Sequence, residues 1–402
     1  MSIKDNGIMT NIAIIIPKLN GGGAERVASN LSIELASRYN VTLIVFDGKN
    51  QAYPHGGQIV DLSMPPAESK VGKIATVIRR IFAVRRLKLE KEIDCSISLL
   101  EGPNVVNILS RRNEKIITSI RNMPSKENFS FGRKKLISIV SNKSDMVVAL
   151  SELVKLDLIN NFQIREDKIN TIYNSCDKDR LMDLAKAEPL FEIEGRYIVT
   201  VGRNSIQKGQ WHLIRAFKLV HGLIPDLKLV ILGEGELQIK LKELTNDLQL
   251  KDYIIFGGYI KNPHNIINDS IAFVFSSLYE GLGNALLEAL ALNKAIISTD
   301  CDAGPREILA PNTPLNYKTK DIQYAQYGVL VPTFTYDHFN CEDELTPEEI
   351  CLANAIVKIV LDESLRKSYE EKASMRSRDF YPQNVNGNWI KMIDALVSNR
   401  GE

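Results

Sequence analysis

Short apolar, β-branched runs alternate along this chain with stretches whose apolar positions recur at helical spacing. That rhythm predicts parallel sheets built from β-α-β units. Residues 11–17 (NIAIIIP) read as a first buried strand, 20–25 as a loop, 25–38 as a helix and 41–46 as a second strand. Further strands are expected at 95–99, 116–120, 146–149 and 169–173. The rhythm pauses in the charged stretch 178–196, which reads as a linker. It restarts with a strand at 197–201 and a helix from 210 to 221. Strands at 227–232, 253–256, 272–275 and 295–298 then repeat the architecture of the first half. Residues 313–348 read as irregular, and 385–398 carry Trp389, Ile390, Met392, Ile393, Leu396 and Val397 at helical spacing. Two α/β lobes are expected to meet across a cleft, with ligands beyond the carboxyl ends of the strands.

A chain of 402 residues exceeds one ordinary hydrophobic core, which agrees with two lobes. Fifty basic and 49 acidic residues leave a formal charge of +1. A dedicated nucleic-acid binder needs a surplus of positive charge, so no nucleic-acid partner is expected. Cys95, Cys176, Cys301, Cys341 and Cys351 are scattered, without zinc spacing or a C-x-x-C pair, as in reduced cytosolic proteins. The apolar run 12–17 is too short for a signal-peptide core or a membrane span. A soluble or peripheral protein in the cytoplasm is the expectation.

Three loops carry candidate chemistry. The first strand leads into Gly21, Gly22 and Gly23 and then a helix, where close backbone approach and a helix N-terminus suit an anion. A dinucleotide fingerprint read from Gly21 would put Arg26 where a third glycine is needed, which counts against it. A tight turn without a ligand is the other reading. The second loop, VGRNSIQKG from Val201 to Gly209, follows a strand and sets Arg203 and Lys208 to converge on a diphosphate or to sit solvated. The third is Glu280-Gly-Leu-Gly-Asn-Ala-Leu-Leu-Glu288, between a strand and a helix expected to begin near Asn284. Gly281 and Gly283 free amides at that N-terminus, and Glu280 and Glu288 can accept hydrogen bonds from hydroxyls. A capped helix with two solvated acids is the bland alternative.

With LGEGE, TDCDAGPREIL and the early GGGAERVA, these stretches make the chain resemble the retaining nucleotide-sugar glycosyltransferases of family 4, which have the GT-B fold. Among them it looks most similar to bacterial enzymes that add N-acetylhexosamines to lipid-linked oligosaccharides of surface polymers. The resemblance implies an α/β GT-B fold of two Rossmann-like lobes. Residues 1–177 would form an acceptor-side lobe and 178–382 a nucleotide-sugar lobe, with a helix at 383–402 returning to the first. It implies that Arg203 and Lys208 neutralise the leaving diphosphate, Glu288 holds ribose hydroxyls and Glu280 contacts the transferred sugar. Gly281, Leu282, Gly283, Asn284, Ala285 and Leu286 would surround the diphosphate and sugar, with Gly202 and Gly233 on the donor side. Tyr259 and Ile260 would lie beside the base, and Gly21–Gly23 would cover the phosphate from the other lobe. Where many relatives carry a histidine at the cleft edge of the first lobe, this chain offers Arg121 and Asn122.

Asp300-Cys301-Asp302 is a literal D-x-D, which could hold a divalent ion. Gly304, Pro305, Arg306 and Glu307 follow it as in metal-independent relatives, and two cations already supply positive charge, so neither a metal nor another cofactor is expected. The resemblance implies same-face attack by the acceptor hydroxyl, with retention and without a nucleophilic carboxylate. Finally, 70–91 combines Ile74, Val77, Ile78, Ile81, Phe82 and Leu89 at helical spacing with Lys73, Arg79, Arg80, Arg85, Arg86, Lys88 and Lys91. Such a helix could lie on an anionic membrane, on the inner face of the cytoplasmic membrane, or simply cover a core with a solvated face. A nucleotide-sugar epimerase of the same architecture, or a non-catalytic two-lobe binding protein, are the competing functions.

Overall fold

In the computed structural model, described for residues 9–20, 22–335 and 339–398, the chain divides into two units: Met1–Ser175 with Gln383–Glu402, and Cys176–Pro382. The first unit contains β1 (Asn11–Ile16), α1 (Gly23–Ala36), β2 (Asn40–Val45), β3 (Gln58–Asp61), α2 (Lys70–Glu90), β4 (Cys95–Leu99) and α3 (Glu101–Leu109). It continues with β5 (Lys115–Ile120), α4 (Phe131–Lys143), β6 (Met146–Ala149), α5 (Glu152–Phe162) and β7 (Ile169–Thr171). The described strands form a parallel sheet in the order β3-β2-β1-β4-β5-β6-β7.

β1 and β4 are continuous apolar or small runs because both their faces are covered. Ile12, Ile14 and Ile16 pack against Ala28, Leu31 and Leu35 of α1 and against Val385, Trp389 and Ile393 of the helix Pro382–Ser398. Ala13 and Ile15 face Val84 of α2 and Val106 of α3 on the other side. The helical spacing of the last apolar stretch was legible, and the helix starts three residues earlier than its first apolar residue.

The second unit contains α6 (Lys178–Ala185), β8 (Tyr197–Val201), α7 (Gln210–Leu223), β9 (Lys228–Leu232), α8 (Gln238–Asp247), β10 (Ile254–Gly258) and α9 (His264–Asp269). It continues with β11 (Ala272–Phe275), α10 (Asn284–Ala291), β12 (Ala295–Thr299), α11 (Pro305–Leu309), β13 (Gln323–Tyr324), β14 (Val329–Val331), α12 (Pro347–Leu361) and α13 (Glu363–Ser377). The sheet order is β10-β9-β8-β11-β12-β14-β13, with only the β13–β14 pair antiparallel among the described strands. Each sheet thus runs outward from its first strand, then reverses and runs out on the other side. The reversal point is where doubly wound sheets receive ligands.

Three sequence expectations need correction. The stretch 178–196 is not wholly a linker: α6 occupies its start, where Asp177 Oδ1 accepts from the Arg180 amide at 3.1 Å and caps the helix. Residues 313–348 are not wholly irregular, since β13 and β14 lie within them. The edge strand β3 had no apolar run to announce it, because its residues are exposed or half-buried.

The basic stretch 70–91 is a helix, capped by Ser69 Oγ, but its cations are not one solvated set. Lys88 is buried, Arg80 donates to the Met64 carbonyl and lies over the Phe46 ring, and Arg85 donates to the Arg111 carbonyl. Val77, Ile81, Val84 and Leu87 pack inward, whereas Val71, Ile74, Ile78, Phe82 and Leu89 are exposed. All five cysteines are free thiols. Among the described residues, no helix is long and apolar enough to cross a membrane.

Candidate functional site

In the second unit, the reversal point lies between β8 and β11, and the loops leaving their carboxyl ends carry most of the candidate residues. After β8 the chain passes through Gly202 and Arg203 to a 3-10 turn at Ile206–Lys208 and into α7. After β11 it passes through Ser276 to Glu280 and the glycines into α10.

These loops are tied to each other. Lys208 Nζ donates to Glu280 Oε1 at 2.5 Å, and Ser277 Oγ donates to the same oxygen at 2.7 Å. Ser276 Oγ donates to the Lys208 carbonyl at 2.8 Å, the Leu278 amide to the Gln207 carbonyl at 2.8 Å, and Gln207 Nε2 to the Tyr279 carbonyl at 3.0 Å. Glu280 is buried, while the Lys208 side chain keeps 19% of its surface exposed. An ammonium has three donors, so the Glu280 contact leaves Lys208 donors for an anion. Arg203 is exposed and has no carboxylate partner among the described residues. Its backbone is held by Gln210 Nε2, which donates to the Gly202 and Arg203 carbonyls at 3.3 and 3.2 Å.

Gly233 shapes this loop by close approach. At its φ of +132° a Cβ would stand 2.0 Å from the Gly202 carbonyl oxygen, so the end of β9 could not lie against the Arg203 loop with any side chain there. Gly283, at φ +93°, is the N-cap of α10 and turns the chain into the helix. Gly281 is buried, and Asn284 and Ala285 are half-buried, at this N-terminus. Leu282 and Leu286 are fully buried at this turn. Ile260 is likewise buried; its neighbour Tyr259 is 56% exposed and has its amide directed at Glu234 Oε1, 3.4 Å away.

Glu288, in α10, meets a residue that sequence reading missed. Its Oε2 lies 3.3 Å from His264 Nε2, and His264 Nδ1 lies 2.7 Å from Asn262 Oδ1. The imidazole is buried and its Nδ1 is engaged by Asn262, while Nε2 faces the Glu288 carboxylate without a hydrogen bond. Asn262-Pro263-His264, directly after the Tyr259 turn, is the signal that could have pointed to it.

In the first unit, Gly22 and Gly23 open α1; Gly21 lies outside the described residues. Glu25 folds back over this turn, its Oε2 where a Cβ on Gly22 would come within 1.9 Å. Burial raises the Glu25 pKa above the usual carboxylate value. Arg121 and Asn122 do not act as a pair. Arg121 donates to Ser119 Oγ at 3.3 Å and to Asn174 Oδ1, and burial lowers its guanidinium pKa to about 10. Asn122 turns instead to Glu127 Oε1. No carboxylate compensates Arg121 among the described residues.

The D-x-D segment is engaged elsewhere. Asp300 accepts from Arg306 Nε at 3.0 Å, Arg306 Nη2 at 2.5 Å and the Thr319 amide at 2.8 Å, all fully or nearly buried. Asp302 lies 3.0 Å from Lys318 Nζ. A divalent ion would have to displace Arg306 from Asp300, so this donor set does not fit one.

Residues 21–180 match the family model described as Glycosyltransferase Family 4, and residues 183–325 the one described as Glycosyl transferases group 1. The chain is 34% identical over 346 residues to an uncharacterized glycosyltransferase of Methanocaldococcus jannaschii, an alignment covering 80% of this chain and 84% of that protein. It is 29% identical over 383 residues to the N-acetylgalactosamine-N,N'-diacetylbacillosaminyl-diphospho-undecaprenol 4-alpha-N-acetylgalactosaminyltransferase of Campylobacter jejuni, covering 92% and 96% of the two chains. Among solved structures it is similar in fold to Anabaena Alr3699/HepE, crystallised in complex with UDP and glucose: TM-score 0.76, 16% identity, 96% of this chain and 100% of that one.

Proposed function

This chain belongs to the family 4, group 1 glycosyltransferases and has their GT-B fold of two Rossmann-like lobes, and we propose that it moves an N-acetylhexosamine from a UDP donor, with retention, onto a lipid-linked saccharide. The product would enter a surface polysaccharide or related glycan. The epimerase and the non-catalytic binding protein give way to this family membership. The Campylobacter relative, named for transfer of N-acetylgalactosamine to a diphospho-undecaprenol-linked saccharide, supports the acceptor class and the sugar; the UDP in the Anabaena structure supports the base.

One observation carries the reading: Lys208 and Glu280 meet at 2.5 Å on the two loops that flank the strand-order reversal, with exposed Arg203 on one loop and the α10 N-terminus on the other. Arg203 and Lys208 would take the negative charge that grows on the departing diphosphate, together with the amides from Gly281 to Ala285. Glu280 would hold Lys208 in place and offer its second oxygen to the transferred sugar. Glu288 would accept from the ribose hydroxyls. The acceptor hydroxyl attacks the anomeric carbon on the face from which the diphosphate leaves. Its proton passes to the departing phosphate oxygen, and positioning lowers the barrier. We take the transfer to be metal-independent, because Asp300 is held by Arg306. The exposed Val71, Ile74, Ile78 and Phe82 beside exposed Lys73, Arg79 and Arg86 support peripheral binding to an anionic inner membrane face through α2.

The test is incubation with UDP-N-acetylgalactosamine, UDP-N-acetylglucosamine, UDP-glucose and a GDP-sugar in the presence of a diphosphoprenyl-linked saccharide, with the product anomer read by NMR. A UDP-N-acetylhexosamine should give a product with the donor's anomeric configuration. An inverted product would overturn the mechanism, and preference for the GDP-sugar would overturn the donor.

A further inference from the structure

The first unit holds a cavity that the donor chemistry leaves unused. It measures about 250 Å³ and lies between α3 and α4, lined by Gly102, Val105, Ile120, Leu136, Ile137 and Val140. Of the polar groups that line it, the Asn104 side chain is engaged by Ser98 Oγ and the Ser119 carbonyl, Glu101 and Arg133 pair with each other at 2.7 Å, and the buried Ser141 hydroxyl alone has no partner among the described residues. Ile120 is the last residue of β5, and Glu101 opens α3 just after β4, so the cavity sits at the carboxyl edge of the sheet.

The wall around it has an unusual composition. α4 (FGRKKLISIVSNK) carries four cations and no acid, yet Phe131 is 83% exposed and Leu136 and Ile139 are each 43% exposed. α3 packs against both α4 and α2, so the exposed apolar residues of α2 belong to the same side of the sheet. Arg133 is taken up by Glu101, but Lys134, Lys135 and Lys143 have no carboxylate partner among the described residues, and exposed apolar residues interleaved with such cations fit a ligand that is itself apolar with an anionic head. A saccharide would need several free hydrogen-bonding groups where the lining offers the lone Ser141 hydroxyl beside the Glu101–Arg133 pair, and a nucleotide sugar needs more room than this.

We propose that this cavity takes a segment of the prenyl chain of the lipid-linked acceptor, while Lys134, Lys135 and their neighbours on α4 meet its diphosphate. The proposal rests on the lipid-linked acceptor reading and names where this chain grips the lipid. Packing one chain segment there would hold the acceptor at the strand ends and leave its saccharide free.

Gly102 supplies the decisive variant, because a Cβ built on it meets no atom within 4 Å. Gly102→Leu therefore blocks the opening without displacing the wall, and it replaces a helical glycine with a better helix former. Leu136→Asp, at a half-exposed position, is the second variant. Binding of farnesyl diphosphate and of inorganic diphosphate is measured by titration calorimetry, with UDP-induced thermal stabilisation as the folding control.

Farnesyl diphosphate should bind wild type more tightly than inorganic diphosphate and should weaken about tenfold or more in both variants, the affinity carried by a few buried methylenes. UDP stabilisation should be unchanged. Equal farnesyl diphosphate affinity in wild type and Gly102→Leu would overturn the proposal, as would no preference over inorganic diphosphate. If Gly102→Leu instead abolished sedimentation with phosphatidylglycerol vesicles and spared farnesyl diphosphate, the occupant would be a bulk phospholipid and the proposal would also fail. Because these titrations require no transfer, a wild type that binds farnesyl diphosphate in the cavity but glycosylates no lipid-linked saccharide would refute the acceptor reading alone.

Discussion

The two lysine–glutamate pairs with buried carboxylates among the described residues are of nearly equal length, and they do different things. Lys88–Glu114 spans 2.6 Å in the first unit with side chains 0% and 1% exposed; Lys208–Glu280 spans 2.5 Å in the second with 19% and 7%. Glu114 immediately precedes β5, at the amino edge of its sheet, and Lys208 and Glu280 follow β8 and β11 at the carboxyl edge of theirs. Lys88 fills its remaining donors with the Asn107 carbonyl at 2.9 Å and Asn107 Oδ1 at 2.7 Å, and Glu114 Oε2 accepts from the Arg112 amide at 2.9 Å. That pair is closed on itself and bolts α2 to α3. The other keeps ammonium donors in reserve, and its second carboxylate oxygen accepts only a long bond from Gln207 Nε2 at 3.5 Å. The same two residue types make a structural bolt or a site according to which end of the strands they occupy and whether their hydrogen bonds are already complete.

The largest expected effect comes from breaking the closed pair. Lys88→Met leaves Glu114 buried without its cation and should cost about 3–5 kcal/mol of stability, read by urea denaturation. Turnover per folded molecule should stay the same. The wild-type pH dependence has a definite sign. Burial pushes the Lys88 pKa down to about 8 from its ordinary 10.5, although Glu114 opposes the shift. Between those values the unfolded chain holds the proton and the folded chain releases it, so this lysine's contribution to stability rises with pH there. Below about pH 8 the penalty for the dehydrated charge is present in full. In Lys88→Met that rise should vanish.

The open pair should behave in the opposite way. Lys208→Met is expected to lower kcat by about 10²–10³-fold, as when one oxyanion donor is lost, with a smaller stability loss than Lys88→Met because Ser277 Oγ and Gln207 Nε2 still donate to Glu280. A Lys208→Met protein that loses several degrees of melting temperature and keeps its kcat would reverse the assignment of the two pairs.

The sequence could not distinguish these lysines. Lys88 stood among the eight cations of a basic stretch, and helical spacing does not tell which cation meets a carboxylate 26 positions later. Lys208 was legible because it followed a strand and sat beside glycines. Most strand positions were legible from buried β-branched runs, and so was the start of α10 from Gly283, but the two- and three-residue strands β13 and β14 were too short to show as runs. The edge strand β3 and α6 were missed, because exposed elements leave little apolar periodicity. Leu282, Leu286 and Ile260 lay in the right loops but are buried, which spacing alone does not fix. His264 was missed because a lone histidine means nothing until Glu288 is seen 3.3 Å away.

That contact gives a smaller prediction. His264 faces the Glu288 carboxylate at 3.3 Å and does not reach a reacting atom in this reading, so its expected role is that of a positioning residue. His264→Ala should raise KM for the UDP donor about tenfold while kcat falls less than twofold, in keeping with a lost ground-state contact to ribose. Equal falls in kcat and kcat/KM would instead assign His264 to the transition state.

The smallest expected effect sharpens the comparison with a third pair. Asp300–Arg306, at 2.5 Å with side chains 1% and 0% exposed, lies at the carboxyl edge like Lys208–Glu280 but is sealed like Lys88–Glu114. If completeness of hydrogen bonding decides the role, edge position notwithstanding, Asp300 is structural and cannot release its oxygens to a metal. Transfer measured after exhaustive dialysis against a chelator should then stay within about twofold of the untreated rate, since Arg203 and Lys208 already supply the charge an ion would bring. Loss of transfer, restored by Mg²⁺ or Mn²⁺, would show that Arg306 yields Asp300 on donor binding. Strand-edge position would then outrank hydrogen-bond completeness as the mark of a functional pair.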